Sequence, residues 1–78
     1  PNPFSDYFIV EFQLSQDSPV KIELYDVTGK MHLFYKREHL SMGIHQISLD
    51  GSQLWPGIYY CLIKTKSGKV QAKLVRIQ

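Results

Sequence analysis

The 78-residue chain has 44% hydrophobic and 21% charged residues, which is ordinary for a globular domain and too apolar for a disordered one. Its single cysteine excludes an internal disulfide, so we expect one small domain, residues 1–78, held together by its core. The net charge of +2, without a recognition helix or nucleic-acid motif, predicts no nucleic-acid partner, and no apolar run is long enough for direct membrane insertion.

Alternating apolar residues mark successive strands, and no run has the period of a helix. The first two strands place apolar residues at every second position, at Phe8, Val10, Phe12 and Leu14 and then at Val20, Ile22 and Leu24. Residues 26–30 predict a tight hairpin turn, because Asp26 supplies a side-chain acceptor and Gly29 a flexible backbone. A third strand begins at Met31, and residues 36–42 are expected to form a polar loop closed by Gly43.

The second half of the chain predicts three more strands, at residues 44–49, 58–66 and 69–77. A crossing at residues 52–54 leads to a corner at Trp55, Pro56 and Gly57, and we expect it to change sheets. Ser67 and Gly68 predict a two-residue hairpin loop between the last two strands. Strands this regularly spaced indicate an all-β, immunoglobulin-like antiparallel β-sandwich of about six to seven strands.

The strand after the corner has two nearly equivalent faces. We expect Tyr59, Cys61 and Ile63 to point inward, with Cys61 as a small apolar residue of the core. The Tyr59 hydroxyl is expected to bond to the backbone of the crossing segment, as in a tyrosine corner. The alternating set is almost as apolar, at Ile58, Tyr60 and Leu62. The strand is therefore either covered on both faces or leaves an apolar face open to a partner.

No arrangement of reactive side chains points to catalysis. His32, His39 and His45 lack the spacing of paired metal ligands, and no pair of carboxylates has an environment that would separate their pKa values. The glycines are isolated at turns, so no phosphate-binding loop is present in the sequence. We expect no enzyme activity, no metal and no cofactor.

The last third of the chain is basic, because no acidic residue follows Asp50. Its cations are Lys64, Lys66, Lys69, Lys73 and Arg76. Such a run is typical of a solvated face that protects a sheet edge, and the alternative is a docking surface for an acidic partner.

Several short motifs recur along the chain in a characteristic order. They are Pro1-Asn2-Pro3-Phe4, Leu24-Tyr25-Asp26-Val27-Thr28-Gly29-Lys30, Gly43-Ile44-His45, Leu49-Asp50, Leu54-Trp55-Pro56-Gly57-Ile58-Tyr59 and Lys73-Leu74-Val75. In this order they resemble the C-terminal sorting domains, type A, of the type IX (Por) secretion system. The resemblance covers essentially the whole chain.

The resemblance implies a non-catalytic secretion signal at the end of a larger protein. Such a domain directs its upstream cargo through the periplasm to the outer-membrane translocon, and a surface sortase then removes it, leaving the cargo on the outer-membrane surface or outside the cell. Because the chain begins with Pro1, we expect it to be cut from a longer secreted protein. The alternative is an immunoglobulin-like or fibronectin-like accessory module, or a carbohydrate-binding module, of a surface enzyme.

The resemblance also assigns sorting-motif residues by position. They are Pro1, Asn2, Pro3, Asp26, Gly29, Gly57, Tyr59, Lys73 and Val75. Trp55 stands where small residues are more usual in the family, and either caps the sandwich or adds to a binding surface. Independently, the last hairpin with Lys64, Lys66 and Lys69 is the expected recognition element, since a strand edge adds to a partner sheet and lysines supply charge complementarity.

Overall fold

The computed structural model describes residues 7–77, and these form two antiparallel sheets packed as a sandwich. The six strands in this range are β1 (Tyr7–Leu14), β2 (Ser18–Tyr25), β3 (Met31–Leu40), β4 (Gly43–Asp50), β5 (Gly57–Thr65) and β6 (Val70–Ile77). The small sheet pairs β1 with β4, and the large sheet has the order β3-β2-β5-β6. The predicted all-β sandwich is confirmed.

The core lies between the sheets and uses the alternation read from the sequence. Both early apolar sets face inward, and Tyr59, Cys61 and Ile63 join them, so the predicted inward face of β5 is confirmed. The buried apolar side chains are Val10, Phe12, Leu14, Val20, Ile22, Leu24, Leu40, Leu49, Tyr59, Cys61, Ile63 and Ile77.

The predicted polar loop at residues 36–42 is wrong over its first five residues, which continue β3. Lys36 pairs with Lys21 and Leu40 pairs with Ser18 on the neighbouring strand. Because β3 is an edge strand with little cover on its second half, its side chains there need not alternate between apolar and polar. Without that alternation the sequence pattern resembles a loop.

The predicted two-residue loop between β5 and β6 is also wrong. Lys64 pairs with Val70, and the Gly68 N–H donates to the Thr65 carbonyl oxygen at 3.2 Å, so the loop is longer. A two-residue type I′ loop at Ser67-Gly68 needs positive φ at both residues, and the only positive φ values among residues 7–77 belong to glycines. Gly68, at φ +81°, instead follows the turn as a bulge residue.

The connections divide the sandwich into two ends. One end, which we call the corner end, contains the β2–β3 turn, the crossing from β4 to β5, the start of β1 and the end of β6. The strand pairing shows this, because Tyr7 pairs with Asp50 and Gly57 pairs with Ile77. At the other, the hairpin end, lie the β1–β2, β3–β4 and β5–β6 turns. The crossing changes sheets as predicted, because β4 belongs to the small sheet and β5 to the large one.

Candidate functional site

The β2–β3 turn is organised by the carboxylate of Asp26. Its Oδ1 accepts hydrogen bonds from the backbone N–H of Thr28 at 2.8 Å, from the Thr28 hydroxyl, and from the backbone N–H of Lys30 at 3.2 Å. The Gly29 N–H donates to the Asp26 carbonyl oxygen at 3.0 Å, and Gly29 has φ +90°. The Thr28 hydroxyl bond and a contact with His32 hold the pKa of Asp26 far below its usual range. Asp26 and Gly29 are therefore the residues that shape this turn.

His32 connects that turn to the corner. Its Nε2 lies 2.6 Å from the Asp26 Oδ2, and its ring meets the edge of the Tyr59 ring with centroids 5.5 Å apart. Tyr59 is 4% exposed, and its hydroxyl donates to the Trp55 carbonyl oxygen at 2.7 Å. The predicted tyrosine corner is confirmed, and a contact chain runs from Asp26 through His32 and Tyr59 to Trp55.

Gly57 begins β5 immediately after the corner. Its φ of +154° is a backbone conformation that side chains with a Cβ rarely adopt. Trp55, two residues earlier, is 81% exposed, so its indole does not cap the core and that alternative is wrong. The part of Trp55 that stabilises the corner is its carbonyl oxygen, which accepts the hydrogen bond from Tyr59.

The corner end gathers most of the described sorting-motif residues. Asp26, Gly29, Gly57 and Tyr59 lie there, and Val75 is the pairing partner of Tyr59 on β6. Lys73 lies further along β6, opposite Cys61. Pro1, Asn2 and Pro3 lie outside the described residues.

Lys64 belongs to a charge network built around the buried carboxylate of Glu23. Its Nζ lies 3.0 Å from Oε1 of Glu23, a residue only 7% exposed, and the Tyr25 hydroxyl donates to the same oxygen at 2.8 Å. The Lys64 hydrogen bond, followed by that of Tyr25, lowers the pKa of Glu23, and the same carboxylate raises the pKa of Lys64. Its ammonium is therefore not a free charge at the sheet surface.

Lys66 and Lys69 lie in the β5–β6 turn at the hairpin end, where both are exposed. The Lys66 backbone N–H donates to the Ser18 hydroxyl at 2.9 Å, and Ser18 donates to the Pro19 carbonyl oxygen at 2.6 Å. Ser18 is buried and so anchors the turn to the start of β2. The structure thus separates the lysine turn from the corner residues by the length of the strands.

The sequence did not indicate His32, Glu23 or Ser18 as site residues. The short sequence separation of His32 from Asp26 across a predicted hairpin was a usable signal. Glu23 and Ser18 had none, because their partners Lys64 and Lys66 become neighbours only when β2 pairs with β5.

The second face of β5 is open, which settles the alternative left by its sequence. Ile58 and Tyr60 are exposed, and Leu62 is partly so. Leu74 on β6 is 67% exposed beside them. The large sheet therefore presents exposed apolar side chains on the outer face of β5 and β6.

Residues 7–77 show neither a metal-binding cluster nor an activated thiol. No cluster of three His, Cys, Asp or Glu side chains in this range is arranged to hold a metal ion. Burial raises the pKa of the Cys61 thiol, which makes it a poor nucleophile. None of these residues forms a helix long and apolar enough to cross a membrane.

The comparison with protein families identifies the family of the chain. The model of the secretion system C-terminal sorting domain matches residues 1–78, the whole chain. The chain belongs to this family. The comparison with curated proteins found no match, and neither did the comparison with solved structures.

As a type IX C-terminal sorting domain, the chain is of a kind that serves as an export signal and is generally not catalytic. Membership implies export to the cell surface or the extracellular space and recognition by the type IX machinery. The resemblance read from the motifs is confirmed at the level of the family.

Proposed function

We propose that this sorting domain is the terminal address label of a larger cargo protein, which it brings through the periplasm to the type IX outer-membrane translocon. A surface sortase then removes the label, and the cargo stays on the outer-membrane surface or leaves the cell. The observation that carries the proposal is the family match over all 78 residues. The domain acts as ligand and substrate of this machinery and brings no chemistry of its own.

We assign different roles to the sorting-motif residues of the corner end and to the lysines of the last hairpin. Asp26, Gly29, Gly57 and Tyr59 fix the corner end, because their carboxylate, hydroxyl and backbone conformations hold the turn and the corner together. Lys66 and Lys69 are the candidates for recognition in the last hairpin, since they are exposed and the turn that carries them is anchored. Lys64 contributes to recognition through its pair with Glu23 and not as an isolated cation.

The test fuses residues 1–78 to the C-terminus of a reporter that carries a periplasmic leader, in a bacterium with a type IX system. We expect reporter at the surface or in the medium, with a mass that lacks the domain. Export with the domain retained would favour an accessory or carbohydrate-binding module. Reporter that stays in the periplasm would contradict the proposal.

A charge reversal tests the hairpin within the same fusion. Lys69→Glu is expected to lower export several-fold, because like charges at a contact surface slow association and weaken binding. The matched control is Arg37→Glu, a reversal at an exposed position on β3. Deleting residues 69–78 is a poorer test, because it removes β6 and uncovers the buried Tyr59 and Cys61 on β5. Equal export of both variants would remove Lys69 from the recognition surface.

A further inference from the structure

The outer face of the large sheet, which points away from the small sheet, is ordered in three rows that cross all four strands. The strand register places these residues side by side. The first row, nearest the corner end, is Met31, Tyr25, Tyr60 and Leu74. The middle row is Phe34, Glu23, Leu62 and Ala72. The basic row, nearest the hairpin end, is Lys36, Lys21, Lys64 and Val70.

Much of the apolar surface on this face is in contact with solvent. The exposed apolar side chains, from 41% to 67% exposed, are Met31, Phe34, Ile58, Tyr60, Val70 and Leu74. Scattered exposed apolar residues are normal, but these side chains are neighbours on β5 and β6, and the half-buried Tyr25 on β2 lies between Tyr60 and Met31. Together they form a patch, and such patches mark interaction sites. The face is therefore a candidate docking surface.

The basic row gives that surface its chemistry. Like charges directly opposite each other across strands are destabilising, yet Lys21 lies between Lys36 and Lys64. Glu38 lies 3.1 Å from the Lys36 ammonium and Glu23 lies 3.0 Å from that of Lys64. No carboxylate of residues 7–77 lies within 4.0 Å of the Lys21 ammonium, so the cation at the centre of the row has no contact ion pair and acts on Glu23 only at longer range. Neighbouring like charges that cost stability are expected at functional sites.

A shallow cavity adjoins this row. It has a volume of about 230 Å³ and is lined by Pro19, Lys21, Lys64, Thr65 and Lys66. Three lysines thus border one concave spot at the edge of the apolar patch. Because the Lys64 ammonium is paired with Glu23, the lysines beside this cavity that remain for a carboxylate of a partner are Lys21 and Lys66.

We propose that the outer face of the large sheet docks a protein whose contact surface is apolar and carries an aspartate or glutamate, and that this carboxylate pairs with Lys21 beside the cavity that Lys21 and Lys66 border. The proposal rests on the proposed function, since the partner is then a recognition component of the export machinery. It extends the recognition surface from the hairpin across the sheet.

Charge and size favour this partner over a second copy of the chain. Two outer faces packed with their strands parallel would oppose their basic rows, and packed with their strands antiparallel they would bury each basic row against the apolar first row of the other copy. The outer face of the small sheet carries Glu11 and Asp50, but it is only two strands wide and would leave half of the large sheet uncovered. A contact between unlike faces also does not close into a dimer.

An anionic membrane is a poorer match than a protein. Glu38 has a largely exposed side chain on β3 next to the basic row, and Glu23 lies in the middle row, so carboxylates would face the lipid phosphates. The rows span roughly 14 by 14 Å between Cα atoms, from strand spacings of about 4.8 Å and row spacings of about 7 Å. That is smaller than a standard stable interface, which suits a label that is bound and then released.

The experiment uses the reporter fusion and two matched pairs of variants. Leu74→Ser removes an apolar side chain of the outer face, and Ile9→Ser removes one that is 65% exposed on the small sheet. Lys21→Glu reverses the central cation, and Arg37→Glu is its control. We expect Leu74→Ser and Lys21→Glu each to lower export about tenfold, equivalent to about 1.4 kcal/mol, while both controls export normally. Thermal melting of each purified fusion shows that the domain remains folded.

The occupant is tested separately by sedimentation of the wild-type fusion and by its binding to vesicles containing anionic phospholipid. A fusion that sediments as a monomer and does not bind the vesicles supports a protein partner. Self-association or vesicle binding that Leu74→Ser abolishes would overturn the choice of partner. Normal export of both outer-face variants would overturn the docking surface alone, whereas failure of the wild-type fusion to leave the periplasm would overturn the proposed function with it.

Discussion

The two ends of the sandwich are stabilised by different means. At the corner end, side chains hold the connections, since Asp26 organises a turn, His32 touches it and Tyr59 bonds the backbone of the corner. At the hairpin end a buried serine anchors a turn whose lysine side chains are exposed. The difference matches the roles that we propose, in which the motif residues of the corner end keep the domain folded and the lysines of the last hairpin are left for contact.

The largest effect is expected from Gly57→Ala. A residue with a Cβ at φ +154° is strained whatever space surrounds it, and such strain costs about 1–3 kcal/mol. For a domain of this size that lowers the melting temperature by several degrees or more. Ser67→Ala in the hairpin turn is the control and is expected to change stability by less than about 0.5 kcal/mol. Equal melting temperatures for the two variants would contradict the contrast between the ends.

A smaller effect is expected from Tyr59→Phe. The change removes one hydrogen bond, to the Trp55 carbonyl oxygen, and leaves the buried ring in place. A lost hydrogen bond of this kind costs about 1 kcal/mol. Tyr60→Phe, on the exposed side of the same strand, is the matched control and is expected to unfold like the wild type. If urea titration gives both variants the same free energy of unfolding, the tyrosine corner is not a stabilising feature.

The smallest effect on stability is expected from lowering the pH. Because folding lowers the pKa of Asp26, its stabilisation is complete above the pKa of the unfolded chain, about 3.9, and is lost as pH falls toward the lower pKa of the folded state. Wild type and Asp26→Asn should therefore differ most in melting temperature at pH 7 and converge below about pH 4. A difference that stays constant down to pH 2 would show that the charge of Asp26 does not hold the turn.

Local chemistry made much of the fold predictable. Alternation identified the inward residues of β1, β2 and β5, and the residues around Pro56 and Gly57 located the corner and its tyrosine. Where a strand lies at an edge, as β3 does beyond Tyr35, the pattern lost its meaning because the second half of that strand has little to bury. The last turn was predicted as a two-residue loop because Ser67-Gly68 is a common turn pair, but a type I′ loop also needs positive φ at the serine, and among residues 7–77 only glycines have it.

The surface was less predictable than the core, for a physical reason. The lysine run of the last third was visible, but the pairing of Lys64 with Glu23 and the position of Lys21 between two other lysines depend on which strands become neighbours. Strand order is set by packing over the whole domain and not by any local pattern. A charge count along the chain therefore locates a basic segment without saying which cations are free.

The start of β1 and the end of β6 both lie at the corner end. When the hairpin end is held, a force applied to the chain ahead of Tyr7 acts along the length of β1. The hydrogen bonds between β1 and β4, from Tyr7–Asp50 to Leu14–Gly43, then bear this force together. Strands loaded in this direction must break many hydrogen bonds together instead of one after another. A grip at the hairpin end, as we propose, therefore loads the β1–β4 ladder in the direction in which its hydrogen bonds resist together.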